Sequence, residues 1–475
     1  MSHTPPPAQS ANAEGSHLAP GLKQRHVTML SIAGVIGAGL FVGSGHAIAA
    51  AGPAVILSYI AAGTLVVLVM RMLGEMAVAS PDTGSFSTYA NRAIGQWAGF
   101  SIGWLYWWFW VLVIPLEAIA AAAILNTWFP GIETWVFALA ITALLTVSNL
   151  FSVAKYGEFE FWFALSKVIA IMAFIVLAAV ALVGGLPGRE VQGFIATMNT
   201  NGGFAPNGYG PVLGALLTTM FSFMGTEIVT IAAAESKNPA QQIARATNSV
   251  IWRIGIFYIV SIFMVVSIVP WNDAQLSVVG SYQRALELLQ IPYAKMIVDI
   301  VVLVAVASCL NSAIYTASRM LFSLAKRGDA PKGLKATTVS NVPRKAVLAS
   351  TAIGFLTTGI NYFAPENVFA FLLATSGAVA LLVYLVIAVS QLRMRKLLIA
   401  GGHELGFKMW LYPWLTWLVI IFITGALALM LTLPKHTGEV ASTAVLAIVI
   451  VATGIYTQRR SKRVAWSQDT VVTER

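Results

Sequence analysis

Charged residues are scarce in this sequence. Only 10% of the 475 residues are Asp, Glu, Lys or Arg, against roughly 25% in a typical soluble domain. The hydrophobic fraction is 58% and the mean hydropathy is +0.78. This composition excludes a soluble globular protein and indicates an integral membrane protein.

Cysteine, metal-binding patterns and catalytic motifs are also lacking. The single cysteine, Cys309, excludes an internal disulfide and a multi-cysteine metal site. The six histidines show no metal-ligand spacing, and the chain has neither a phosphate-binding glycine loop nor a nucleophile elbow. We therefore expect no metal site, no catalytic residues and no enzyme activity.

Long apolar runs are what the sequence has in abundance. Twelve can be drawn, at about residues 27–50, 53–78, 97–126, 133–154, 159–184, 209–234, 247–270, 293–323, 346–363, 366–390, 410–433 and 440–457. A membrane-spanning helix needs roughly 20 apolar residues. The sequence therefore predicts an all-α integral membrane protein with 12 transmembrane helices.

The net charge of +10 is unevenly placed along the chain. Lys and Arg concentrate in the connections that lie on the same side as both termini, which makes that side cytoplasmic. The excess of Lys and Arg is therefore explained by the orientation of the protein in the membrane. We expect membrane lipid but no nucleic acid as a partner. We predict a disordered cytoplasmic tail at 1–22, which lacks the apolar core of a signal peptide, one transmembrane domain at 23–458, and a basic cytoplasmic tail at 459–475.

Segments three and eight suggest internal symmetry. Both are unusually long, and each follows a mixed polar and apolar stretch, at 81–95 and 271–292. Two inverted repeats of five helices, at about 27–185 and 209–392, would produce this pattern and would leave helices 11 and 12, at about 410–457, as additions.

The first segment carries five glycines between Gly34 and Gly45. Each glycine weakens a helix by about 1 kcal/mol relative to alanine, so we predict that this helix unwinds at Gly37–Gly39. Close packing of helices is the alternative interpretation. Under the repeat scheme the partner of this break is segment six, near Gly225.

Three ionisable residues lie deep in predicted spans: Glu117, Lys167 and Glu227. Each costs roughly 2.5 to 3.5 kcal/mol at a helix centre, so each has either a function or a buried partner that stabilises helix packing. A carboxylate at the break in segment six, such as Glu227, can satisfy main-chain groups or hold a proton. The aromatic run at 104–110 either packs between helices or forms the wall of a pocket.

Four stretches, at residues 34–41, 75–86, 223–227 and 318–331, together resemble the amino acid-polyamine-organocation transporters. Within this family the chain resembles, over about residues 20–465, bacterial permeases that take up 4-aminobutyrate (GABA) with protons. The resemblance implies a leucine-transporter-like 5+5 inverted repeat with broken helices 1 and 6. It also implies import by alternating access across the bacterial inner membrane.

The resemblance further implies where the substrate binds. Main-chain amides of Gly37, Ala38 and Gly39 would hold its carboxylate, and carbonyls near Ile36 and Phe223 would meet its amino group. Many relatives have Ser or Thr where this chain has Ala38, so here the carboxylate is left to main-chain donors. The implied substrate-binding residues are Ile36, Gly37, Ala38, Gly39, Tyr106, Phe223 and Gly225.

Proton coupling is implied in the same way. Lys167 matches a lysine that takes the place of a bound cation, so no sodium site or other cofactor is expected. From its place at the break in segment six, we expect Glu227 to be a second proton-linked or gating group. Glu117, Ser308 and Ser312 are expected to be structural or gating residues. The alternatives are a permease or exchanger for another amino acid on the same fold, or an amino-acid-sensing receptor.

Overall fold

A computed structural model describes most of the chain. The described residues are 36–81, 85–151, 156–186, 191–228, 230, 238–291, 293–338, 342–363, 365–402, 404–433 and 437–473. Within these ranges every regular element is a helix. The predicted N-terminal tail at 1–22 and the first residues of segment one, Gly34 included, lie outside the described residues.

The helices follow one another with short connections. In chain order they are α1 (Ser44–Ala51), α2 (Val55–Ala79), α3 (Ser85–Ala93), α4 (Gln96–Trp128), α5 (Thr134–Phe151), α6 (Tyr156–Leu182), α7 (Gly193–Thr200), α8 (Gly210–Phe223), α9 (Pro239–Arg253), α10 (Ser261–Ile268), α11 (Leu276–Val279), α12 (Ser281–Leu288), α13 (Ala294–Arg327), α14 (Arg344–Phe363), α15 (Pro365–Ala400), α16 (Trp414–Met430) and α17 (Thr437–Thr473). A π-helical stretch, Gly39–Gly43, precedes α1, and a second, Ile254–Val260, joins α9 to α10.

Seven stretches of the described helices are long and apolar enough to cross a membrane. They are Gly39–Ala79, Gln96–Trp128, Glu160–Leu182, Pro239–Ile268, Lys295–Arg327, Val368–Ala400 and Thr437–Arg459. Three shorter apolar helices are Thr134–Leu150, Gly210–Phe223 and Trp414–Met430. These findings confirm an all-helical, multi-pass membrane protein, whereas the count of twelve spans stays a prediction.

The first of these stretches contains two predicted segments. They separate at Gly52, whose φ of +67° is a left-handed conformation that favours glycine. The predicted boundary between segments one and two, at residues 50–53, therefore coincides with a turn in the chain.

The centre of the molecule is formed by α4 and α13, which pack against each other along their length. Beside them α8 contacts α15 so closely that a Cβ atom on Gly377 of α15 would lie 1.9 Å from the carbonyl oxygen of Leu217. Backbone-to-backbone contact of this kind is possible only with glycine. Glycine at this position therefore lets the two helices approach closely.

The chain leaves helical geometry at two places near this centre. Ile36 and Gly37 are not helical. Helix α8 ends at Phe223, where Met224 becomes extended and Gly225 has φ +102°. The two places adjoin, because a Cβ atom on Gly39 would lie 2.9 Å from Cα of Ser222.

Candidate functional site

A small cavity lies between the two irregular stretches. It is lined by Gly37, Gly39, Phe109, Trp110, Val113, Glu117, Phe221, Ser222, Met224 and Cys309. One end is polar because of the glycine backbone and Glu117, and the other is aromatic. A small molecule with one charged and one apolar portion suits such a surface.

Glu117 lies at the polar end of the cavity. The N–H of Ala38 donates to both carboxylate oxygens of Glu117, at 3.2 Å to Oε1 and 3.0 Å to Oε2. Glycine at position 37 permits this approach, since a Cβ atom there would lie 2.5 Å from Oε1. Thus an amide implied for the substrate carboxylate is bound here by a carboxylate of the protein itself.

Glu227 plays an equivalent part at the second irregular stretch. The N–H of Gly225 donates to both of its carboxylate oxygens at 3.1 Å. The hydroxyl of Tyr106, on α4, donates to Oε1 at 3.0 Å. This carboxylate therefore fixes the turn after α8 and ties it to α4, as expected for a residue that satisfies main-chain groups at a break.

The carbonyls implied for the substrate amino group also have partners within the protein. The thiol of Cys309 donates to the carbonyl oxygen of Ile36 at 3.3 Å. The hydroxyl of Thr226 donates to the carbonyl oxygen of Phe223. In each irregular stretch, one main-chain amide and one main-chain carbonyl are thus hydrogen-bonded to side chains.

Lys167 belongs to a buried polar cluster between α6 and α13. Its side chain is 0% exposed and its ammonium group donates to Oγ of Ser308 at 3.2 Å and to Sγ of Cys309 at 3.7 Å. Ser308 in turn donates to Oε1 of Glu160 at 2.7 Å. Because Cys309 also contacts the carbonyl of Ile36, the lysine is linked to the first irregular stretch through the thiol.

The structure divides the predicted residues among the cavity wall, the adjoining polar cluster and positions behind the cavity. Gly37, Gly39 and Glu117 line the cavity. Lys167 and Ser308 meet in the adjoining cluster, and Ser312 is buried one turn further along α13.

Tyr106, Phe223 and Gly225 lie behind the cavity. They are buried and do not line it, because Phe109, Trp110 and Phe221 form its aromatic wall instead. Tyr106 reaches the site through Glu227, and Phe223 packs on Tyr59 and Tyr258. Their direct contact with substrate therefore stays a prediction.

Sequence reasoning missed the roles of two side chains. Trp110 is 2% exposed. Its indole N–H interacts with the Tyr106 hydroxyl but makes no hydrogen bond of regular geometry among the described residues, so a donor is available beside the cavity. Glu160 is 2% exposed and lies two helical turns before Lys167 on the same helix. That spacing of seven residues places both side chains on one face of the helix. The sequence alone could therefore have indicated that Glu160 belongs to the same cluster as Lys167.

The family model for amino acid permeases matches residues 26–466. This chain belongs to the amino acid permease family. The permease is 77% identical to a probable GABA permease of Pseudomonas aeruginosa, with 96% of both chains covered. It is 63% identical to the gamma-aminobutyric acid permease of Escherichia coli, with 97% of this chain and 98% of the relative covered.

Further comparisons extend this likeness. The permease is 42% identical to the aromatic amino acid transport protein AroP of Corynebacterium glutamicum, over 90% of this chain and 93% of the relative. Its fold is similar to the crystal structure of a manganese transporter of Eremococcus coleocola, with a TM-score of 0.54, 14% identity, and 91% and 92% of the two chains covered. The expectation of a transporter rather than an enzyme is thereby confirmed.

Proposed function

We propose that this permease imports GABA by proton symport, through alternating access, across the bacterial inner membrane with both termini in the cytoplasm. The substrate is supported by three relatives at 77%, 63% and 49% identity that are named GABA permeases. A relative named for aromatic amino acids is more distant, at 42%. Another amino acid is therefore the second candidate substrate.

The observation that carries proton coupling is the link from Lys167 to the first irregular stretch. The buried ammonium group donates to Cys309, which donates to the carbonyl of Ile36. Deprotonation of Lys167 removes the ammonium charge and one of its donors, so this connection between α6, α13 and the substrate site weakens. Proton loss can then bias the equilibrium between the two access states, without a sodium ion.

In the proposed complex the substrate replaces internal partners. Its carboxylate takes the N–H of Ala38 from Glu117, with the indole N–H of Trp110 as a further donor beside the cavity. Its amino group takes the carbonyls of Ile36 and Phe223 from their present donors. Glu227 acts as a second proton-linked or gating group, because it binds the turn at Gly225.

The proposed architecture is twelve transmembrane helices with a 5+5 inverted repeat, broken helices 1 and 6, and two additional helices. The lengths of α4 and α13, 33 and 34 residues, support it. Each of these helices directly follows short helices, α3 in the first half and α11 with α12 in the second. This order is what equivalent third helices in two repeats would have.

The test is uptake of labelled GABA into proteoliposomes with an imposed pH gradient, in competition with a panel of amino acids. We expect accumulation that requires the gradient and is competed best by GABA. Better competition by an aromatic amino acid would assign the second candidate substrate. Exchange without net uptake would indicate an exchanger, and binding without either flux would indicate a receptor.

A further inference from the structure

A second charged side chain is buried beside Lys167. Glu160 is 2% exposed and Lys167 is 0% exposed. The two lie seven residues apart on α6, hence on one face and about 10 Å apart along the helix axis. Symport as proposed above requires Lys167 to lose its proton, but it does not say which group receives it.

The hydrogen bonds between the two residues run in a single direction. The ammonium group of Lys167 donates to Oγ of Ser308 at 3.2 Å. The hydroxyl of Ser308 donates to Oε1 of Glu160 at 2.7 Å. A serine hydroxyl can accept one hydrogen bond while it donates another, so the three groups form a continuous chain from the cation to the carboxylate.

We propose that Glu160 is the proton acceptor for Lys167 and that Ser308 relays the proton. In the step an N–H bond of Lys167 breaks as an O–H bond forms at Oγ of Ser308. The original O–H bond of Ser308 breaks as one forms at Oε1 of Glu160. The products are a neutral amine, a neutral carboxylic acid and an unchanged serine, so atoms and charge balance without any further reactant.

The surroundings favour this transfer over release into the cavity. The titratable groups that face the cluster from the other packed elements are Cys309 of α13, Glu117 of α4 and Tyr258 of the π-helical stretch after α9. Only Glu160 among the described groups receives a hydrogen bond from Ser308. Removal of both charges in one step also avoids leaving a single unpaired charge in an apolar interior.

The position of Glu160 gives the transfer a direction. It is the fifth residue of α6, which begins at Tyr156, whereas Lys167 lies two turns deeper. Under the proposed topology the start of α6 faces the cytoplasm. A proton that enters with substrate and reaches Lys167 therefore passes to a group nearer the side where it must leave.

This inference rests on proton symport, so the experiment measures both. Purified wild-type protein, Ser308→Ala and Glu160→Gln are reconstituted into proteoliposomes that contain a pH-sensitive dye. Gradient-driven GABA accumulation, lumenal acidification on GABA addition, and GABA counterflow at equal pH are recorded. Ser308→Thr, which keeps the hydroxyl, tests for rescue, and Glu133→Gln, at an exposed position, is the matched carboxylate control.

We expect Ser308→Ala and Glu160→Gln to lose accumulation and acidification by roughly tenfold or more, within the range of typical couplings between linked sites. Counterflow should persist in both, because exchange needs no net proton transfer, and Ser308→Thr should restore coupling. Wild-type coupling in both variants would overturn the relay. Equal loss of counterflow and accumulation would also overturn it, since that result marks a structural role.

The same measurements separate failure of the symport proposal from failure of the relay. A wild-type protein that exchanges GABA but shows neither gradient-driven accumulation nor acidification would refute proton symport itself. Coupled wild-type transport with fully coupled Ser308→Ala and Glu160→Gln variants would refute only the relay.

Discussion

Replacement of Glu117 by glutamine tests whether the protein and its substrate compete for the main-chain amide of Ala38. The variant keeps the shape of the side chain but removes its charge. In the wild-type protein the N–H of Ala38 donates to both carboxylate oxygens, at 3.2 and 3.0 Å. Before a substrate carboxylate can bind there, this contact must be broken.

The size of the effect follows from the change in hydrogen-bond type. Hydrogen bonds to a charged group contribute about 1.5–3 kcal/mol and neutral ones about 0.5–1.5 kcal/mol. The glutamine variant therefore holds Ala38 more weakly by about 1 kcal/mol, which corresponds to a roughly fivefold change in an equilibrium constant. We expect GABA to bind about fivefold more tightly to Glu117→Gln than to wild type.

Isothermal titration calorimetry in detergent at mildly alkaline pH measures this difference directly. As the pH is lowered, protonation of Glu117 should bring the wild-type Kd towards that of the variant. Glu117→Asp, which keeps the charge on a shorter side chain, separates charge from contact. An unchanged Kd in Glu117→Gln would refute the competition, and weaker binding would show instead that Glu117 binds the substrate amino group.

Three further predictions concern the lysine, the glycines and the tryptophan. Lys167→Met should lose gradient-driven uptake by roughly tenfold or more while counterflow persists; uphill, proton-dependent uptake at the normal rate would contradict its assignment. Gly39→Ala should lower both the thermal unfolding temperature and the affinity, because the new Cβ would lie 2.9 Å from Cα of Ser222 and overpacking costs about 1–3 kcal/mol. Gly37→Ala should lower the unfolding temperature less, because all three of its nearest neighbours are side-chain atoms that can move, whereas Gly39 also meets backbone; melting curves in detergent with and without GABA compare the two, and equal losses of stability would count against the distinction. Trp110→Phe keeps the aromatic wall but loses the N–H, so GABA affinity should fall about fivefold, equivalent to one hydrogen bond of about 1 kcal/mol; calorimetry that finds an unchanged Kd would remove Trp110 from the substrate site.

Features that depend on local chain chemistry were accessible from the sequence. Apolar length predicted a multi-pass helical protein. Glycine content predicted unwinding at Gly37–Gly39, which is correct for Gly37 but wrong for the other two positions, because Ala38 is helical and Gly39 begins a π-helix. The irregular stretch after Phe223 had a weaker signal, because a single glycine, Gly225, marks it. The positive φ of Gly225 nevertheless explains why a single glycine is enough to allow the chain to leave helical geometry there.

Features that depend on distant pairing were not accessible. Nothing in the local sequence says that Glu117 reaches Ala38, 79 residues away, or that Tyr106 reaches Glu227, 121 residues away. Such contacts arise from how α4 packs against the irregular stretches. The available N–H donor of Trp110 is likewise a property of the packed site, since six neighbouring residues in the 104–110 run are also aromatic or apolar.

The internal partners of the two irregular stretches have a consequence for the transport cycle. An importer must reorient once with substrate and once without it. A buried main-chain group that loses its partner costs about 1–3 kcal/mol, so a carrier whose amides and carbonyls depended on substrate would pay that cost several times over on the return step. Such a carrier would be slow to return and would behave as an exchanger.

In this permease, side chains of the protein can bind these main-chain amides and carbonyls when no substrate is present. Glu117 and Glu227 bind the amides, while Cys309 and Thr226 bind the carbonyls. These contacts give the polar backbone partners in the absence of substrate, so we expect the barrier to unloaded reorientation to be lower than it would be without them. If the proposed symport holds, we expect this arrangement to favour net uptake over one-for-one exchange, with the rate of unloaded return set by these four side chains.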